Sequence, residues 1–239
     1  MDDTDLFAAT QRFPTSRRPL LGLTILVVED SRFACEAMRL LCLRSGARIR
    51  RADCLKSARR HLQVYRPSVI IVDLGLPDGS GEDLIEELAQ TMPRVSVILG
   101  TSGDNFAEDA AIAAGADGFL AKPITSLAKF QHEILSRLPE DRQPPGPRVL
   151  PDEEIVPDLI AYRDDMAHVA DVLNDHGDGK VLDYVAQFVR GVARSAHDTA
   201  LADAADRLAH TRAVGGPVAT DTARIAGLVQ ERLDLRKAI

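Results

Sequence analysis

In the first half of the chain the apolar positions fall in short unbroken runs, each ending in a polar residue. Val69-Ile70-Ile71-Val72 ends in Asp73, followed by Leu74-Gly75-Leu76-Pro77-Asp78-Gly79 as a turn. Such a run is long enough for a buried strand and too short for a helix, and strands buried on both faces belong to parallel sheets. Ile25–Val28 runs into Glu29-Asp30, Val95–Gly100 into Thr101-Ser102, and Gly118–Ala121 into Lys122-Pro123. Residues 47–52 alternate instead, which predicts a half-buried strand with Arg48, Arg50 and Arg51 as an exposed basic rim. Between the runs the period becomes helical: Ser31–Ser45, with Phe33, Ala34, Ala37, Met38, Leu40 and Leu41 inward and Gly46 closing it, then 54–64, 81–92, 106–114 and 126–138. Five strands alternating with five helices predict an α/β fold, a parallel doubly wound sheet.

The pattern changes after residue 138. Residues 139–151 hold Pro139, Pro144, Pro145, Pro147 and Pro151, which predicts an extended, semi-rigid linker holding the next module away from the sheet. Residues 152–239 then read as four amphipathic helices: 155–173 (Ile155, Leu159, Tyr162, Met166, Val169 inward), 181–196, one from Asp198 or Thr199 to about Val214, and one capped by Thr220 or Asp221, with Arg236 and Lys237 at its end. Short turns between them predict a small all-α up-and-down bundle. The turn at 174–179 has a superficial likeness to a calcium loop but lacks its ligand spacing and terminal Glu. Residues 1–21 show no period and read as a poorly ordered lead.

In an open α/β sheet the ligand site lies beyond the carboxyl ends of the strands. Asp73, the pair Glu29 and Asp30, Thr101 with Ser102, and Lys122 all arrive at that edge. Taken singly each has a plain reading: Ser31 as a helix cap, Thr101–Asn105 as a loop. A strand-end Asp also serves the aspartate-nucleophile phosphatases, but those need a second Asp two residues on, where this chain has Gly75.

The order, spacing and strand context of these residues together resemble the response-regulator receiver domain of two-component signalling, over residues 22–138. The resemblance implies a flavodoxin-like sheet of strand order 2-1-3-4-5 and phosphorylation of Asp73, a carboxylate nucleophile. It implies a Mg²⁺ ion held by Asp30, Asp73 and the backbone carbonyl of Gly75, with Glu29 acting through a water. Lys122 would pair with the phosphoryl oxygens and Thr101 would donate its hydroxyl to one of them. Lys122-Pro123 is a candidate cis bond. Phe119, with Thr101, occupies the place that couples phosphorylation to the surface formed by the fourth helix, fifth strand and fifth helix of this half, and Ser102 is small enough to leave the acyl phosphate open to water. The implied donor is a histidine kinase or a phosphotransfer protein.

The stretch 201–212 weakly resembles a histidine phosphotransfer domain. Leu201, Ala204, Ala205 and Leu208 would face inward, and His210, about 200° round from Leu208, would face solvent. The family carries Lys and Gly three and four residues after its His; Ala213 and Val214 stand there instead. The bundle is therefore expected to be a degenerate module, used for docking a downstream protein or for dimerisation, and His210 to accept little phosphate.

Charge sets the alternative. The formal net charge of the 239 residues is -7, and residues 152–239 hold 16 acidic residues against 10 Lys or Arg. This balance disfavours a DNA-binding transcriptional response regulator and an anionic membrane surface. After Pro151 there is no Gly-rich phosphate loop, metal-ligand cluster or nucleophile triad, so the output is not expected to be an enzyme. No apolar run approaches a membrane span. Cys35, Cys42 and Cys54 form no metal or disulfide pattern, and the chain is expected to be cytoplasmic.

Overall fold

A computed structural model describes residues 13–104, 106–145, 150–174 and 179–234. The expectations for residues 1–12, Asn105, Gly146, Pro147, the turn at 175–178, Arg236 and Lys237 lie outside the described residues. Five parallel strands, β1 (Thr24–Val28), β2 (Arg48–Ala52), β3 (Val69–Asp73), β4 (Val97–Ser102) and β5 (Gly118–Ala121), form one sheet in the order β2-β1-β3-β4-β5. This is the expected order. Alternation along each strand divides the core in two. Ile25, Val27, Val69 and Ile71 face α1 (Arg32–Ser45) and α5 (Leu127–Leu135). Leu26, Val28, Ile70 and Val72 face α2 (Leu55–Val64), α3 (Gly81–Gln90) and α4 (Ala107–Ala113). Gly46 ends α1 at φ 85°, a left-handed cap that glycine adopts without a Cβ penalty.

Two segments expected to be peripheral belong to this core. Leu20, assigned to the lead, is fully buried, and its N–H bonds to the Ser45 carbonyl at 3.0 Å. Ile155, assigned to the first bundle helix, packs with Leu127, Phe130 and Ile134. Its strand-like segment runs beside the start of α5: the Leu127 N–H donates to Glu153 O at 3.0 Å and the Ile155 N–H to Thr125 O at 2.8 Å. Pro157 explains the later helix start, because the residue before a proline is biased away from helical backbone.

The bundle consists of α6 (Leu159–Asn174), α7 (Gly179–Ser195), α8 (Thr199–Ala213) and α9 (Ala219–Asp234). α6 and α8 each pack on α7 and α9 around Met166, Val189, Leu201, Leu208, Ile225 and Val229. Asp198 caps α8 and accepts from Arg232 Nε and Nη2 at 2.8 and 2.9 Å, tying α8 to α9.

The linker does not hold the bundle away. α6 and α7 pack directly on the receiver-like half, against α1 and the two-residue hairpin strand Gly75–Leu76. The prolines were read as a spacer, but the chain after Pro151 returns to the sheet half and is pinned there by Ile155 and by the Ser126–Glu154 bridge.

Candidate functional site

The site forms where β1, β3, β4 and β5 end. Asp73 is the last residue of β3 and pairs in register with Thr101 of β4. Glu29 and Asp30 follow β1, and Ser31 then caps α1 by accepting the Ala34 N–H at 3.0 Å. Lys122 follows β5 and precedes a cis peptide bond to Pro123. Carboxylate oxygens of Glu29, Asp30 and Asp73 lie within 4.8 Å of one another. Lys122 Nζ sits between two of them, 2.7 Å from Glu29 Oε2 and 2.8 Å from Asp73 Oδ2.

Burial makes this a high-energy arrangement. Desolvation, and then the Asp73 charge, push the Glu29 carboxyl well above its ordinary range. The same two causes, in the same order, bring Asp30 to about 7. Burial alone would lower Lys122, but the Asp73 and Glu29 carboxylates outweigh it and hold the ammonium charged. Asp30 Oδ1 is buried and has no hydrogen-bond partner among the described residues.

The other expected site residues are at the same edge in different attitudes. The Thr101 hydroxyl donates to the Leu120 carbonyl at 2.6 Å, across the β4–β5 pairing, and so is not directed at Asp73. Ser102 is buried and accepts the Asp104 N–H at 3.0 Å. Phe119 packs into the core over Gly100 and Ala111. Gly75 stands two residues after Asp73, its backbone nitrogen 3.4 Å from Asp73 Oδ1. His210 is exposed on the last turn of α8, and the structure does not bring it to the acidic cluster.

The bundle supplies residues that the sequence did not single out. Tyr184 donates its hydroxyl to Asp30 Oδ2 at 2.7 Å, and His168 Nε2 lies 3.1 Å from the same hydroxyl. Asp165 caps α1 from outside: it accepts Ser31 Oγ at 2.7 Å, the Arg32 N–H at 2.8 Å and the Phe33 N–H at 3.1 Å. A Cβ on Gly75 would collide with the Gln187 side chain. Arg194 donates to the Gly103 carbonyl, and Arg190 reaches Asp104 at 3.4 Å. A cleft of about 730 Å³ remains beside α7, bounded by Asp30, Arg51, Asp53, Asp164, His168 and Tyr184. Gly191 of α7 passes close to Gly103, where an added Cβ would lie 3.0 Å from the Gly191 Cα; an isolated glycine inside a helical pattern is a local sign of such a packing constraint.

Comparison with known proteins places this geometry. Residues 25–134 match the family model for the response regulator receiver domain. That segment is a response regulator receiver domain. The KDP operon transcriptional regulatory protein KdpE of Escherichia coli is 33% identical over 99 residues, covering 41% of this chain and 44% of KdpE. The transcriptional regulatory protein CitB of Klebsiella pneumoniae is 34% identical over 117 residues, 47% of this chain and 49% of CitB. The chain thus spans about half the length of the curated relatives it matches. Among solved structures, a putative response regulator from Chloroflexus aurantiacus is 30% identical with a TM-score of 0.44, covering 48% of this chain and 98% of that one.

Proposed function

We propose that the chain is a response regulator that accepts a phosphoryl group on Asp73 from a histidine kinase or phosphotransfer protein and signals through its helical module. The observation that carries this reading is the convergence of Glu29, Asp30 and Asp73 on one spot at the sheet edge, with Lys122 held between them. A carboxylate oxygen of Asp73 would attack phosphorus. The bond from phosphorus to the donor imidazole nitrogen breaks, that nitrogen keeps the electron pair, and an acyl phosphate results. Lys122 would leave the carboxylates for the phosphoryl oxygens, and Thr101 would turn from the Leu120 carbonyl to join it.

The site suits a hard divalent cation. Its donors are carboxylate oxygens, their crowding is unfavourable without added positive charge, and Asp30 Oδ1 is a buried acceptor with nothing to accept from among the described residues. Asp30, Asp73 and the Gly75 carbonyl would hold Mg²⁺ directly, with Glu29 behind a water. When bound, the ion neutralises charge on the transferring phosphoryl group.

Response regulators are in general signalling proteins rather than enzymes, and we read the bundle as a docking or dimerisation module. KdpE and CitB are named as transcriptional regulators, but the acidic balance of residues 152–239 gives little counterion release to drive DNA binding. No described helix is long and apolar enough to cross a membrane, and a cytoplasmic site of action accords with this reading. Incubation with acetyl phosphate and Mg²⁺ should add one phosphate to the wild-type chain and none to Asp73→Asn. Equal labelling of the two would sink the proposal.

A further inference from the structure

The face that α7 turns to the receiver is continuous. Tyr184, Gln187, Gly191 and Arg194 follow one another at steps of three or four and therefore share a side of the helix. Tyr184 lies on Asp30, Gln187 on Gly75, and Arg194 on Gly103. Val185, Val189 and Val192, on the other side, fill the bundle core. At Gly191 it is backbone that crosses the site. A Cβ built there lies 3.8 Å from Lys122 Nζ, and one built on Gly103 meets the Gly191 Cα at 3.0 Å. Asp73 is left only 7% exposed. A side chain could rotate away from an incoming donor; a helix backbone has to leave as a body.

We propose that α7 is a gate on the phosphoacceptor site: docked, it fills the space from which a phosphoryl donor must approach Asp73, and phosphorylation and docking exclude one another. This rests on Asp73 being the acceptor. The helix is built for it. Glycine is unfavourable inside a helix relative to alanine, and Gly191 sits where the helix passes Gly103 and Lys122. Anchors hold the two sides of the site, Asp165 on α1 and Arg194 on the Gly103 carbonyl. The segment Val156-Pro157-Asp158, between the pinned Ile155 and α6, is the hinge about which the bundle would turn.

The experiment uses the full chain. Acetyl phosphate transfers its phosphoryl group to Asp73 and leaves as acetate, and the initial labelling rate is compared across variants in the presence of Mg²⁺. Gly191→Leu thickens the helix over Lys122 while favouring helical backbone, and Asp165→Ala removes an anchor away from the acceptor. Each should label at least tenfold faster than wild type, with circular dichroism showing the helices retained. If Gly191→Leu loses helicity, Asp165→Ala decides. In a second measurement, Mg²⁺ with beryllofluoride, which mimics the phosphoryl group on a carboxylate, should raise hydrogen exchange along α7 and at the Arg32 and Phe33 amides. Labelling rates unchanged in every helical variant overturn the gate. Labelling of Asp73→Asn equal to wild type instead overturns Asp73 as the acceptor, so the two failures are distinct.

Discussion

Ser31 Oγ donates a 2.7 Å hydrogen bond to Asp165 Oδ2, joining the first turn of α1 to the middle of α6. The first N–H groups of a helix have no partner within it, and a carboxylate there also meets the positive end of the helix dipole. Here that carboxylate comes from the other module. Asp165→Ala should lower stability by about 1–3 kcal/mol and expose the Arg32 and Phe33 amides to exchange. Urea denaturation followed by hydrogen exchange at α1 checks both; protection of those amides in the variant would contradict the assignment.

Lys122 is the countercharge for two buried carboxylates. Lys122→Ala should cost about 3–5 kcal/mol, the usual penalty for breaking a buried pair. The loss should depend on pH. Burial and Asp73 already hold the Glu29 carboxyl high, and Lys122 is among the groups that bring it down. A carboxyl whose folded pKa lies above its unfolded value favours the fold at low pH and loses that contribution as pH rises through the folded value. The deficit should therefore be larger in alkaline than in acidic solution, shrinking as Glu29 takes up a proton. A deficit that grows on acidification would refute this.

Asp30→Asn removes one charge from the crowd and keeps an acceptor for Tyr184. With divalent ions chelated, the variant should be more stable than wild type by on the order of 1–2 kcal/mol above pH ~8. The gap should narrow as pH falls below the Asp30 value of about 7 and close only below its unfolded value of about 3.9, where the group is protonated in both states. Mg²⁺ should raise the melting temperature of wild type and leave that of Asp30→Asn unchanged.

Cys35 and Cys42 are buried on α1, and desolvation pushes both thiols to about 12. Cys54 is half-buried at the start of α2. Thiolate is the reactive form, so a thiol reagent near pH ~8 should label Cys54 in the folded chain and all three residues only in denaturant. Labelling of Cys42 at the rate of Cys54 in the native chain would mean that α1 opens.

The sheet and its edge chemistry were legible because they are local. A run of Val and Ile followed by Asp, or of Gly-Phe-Leu-Ala followed by Lys-Pro, states both the strand and where its side chains arrive. The docking of the bundle was not legible. Asp165 and Tyr184 look like polar-face residues of amphipathic helices, and their partners Ser31 and Asp30 lie 134 and 154 positions away. Ile155 was misread for a related reason. It falls in step with Leu159 and Tyr162, and periodicity cannot tell a first helical turn from a strap that packs on another core. Pro157 was the local sign. The Thr101 rotamer depends on a carbonyl of the next strand, which no reading of a single segment contains.

Ile155, held in the receiver core, leaves only Val156, Pro157 and Asp158 before α6 begins. Such a tether keeps the bundle at a high effective concentration near its docking face, in the millimolar range for short connections. An interface too weak to hold two separate proteins together is then enough to keep most molecules closed. The same tether limits the opening. At about 3.3–3.6 Å per residue it lets the near end of α6 withdraw by little more than the ~10–12 Å width of one helix. The space released over Asp73 by that excursion is about what a single donor helix would need, so the length of the strap, as much as the chemistry beneath it, sets the size of partner that can be admitted.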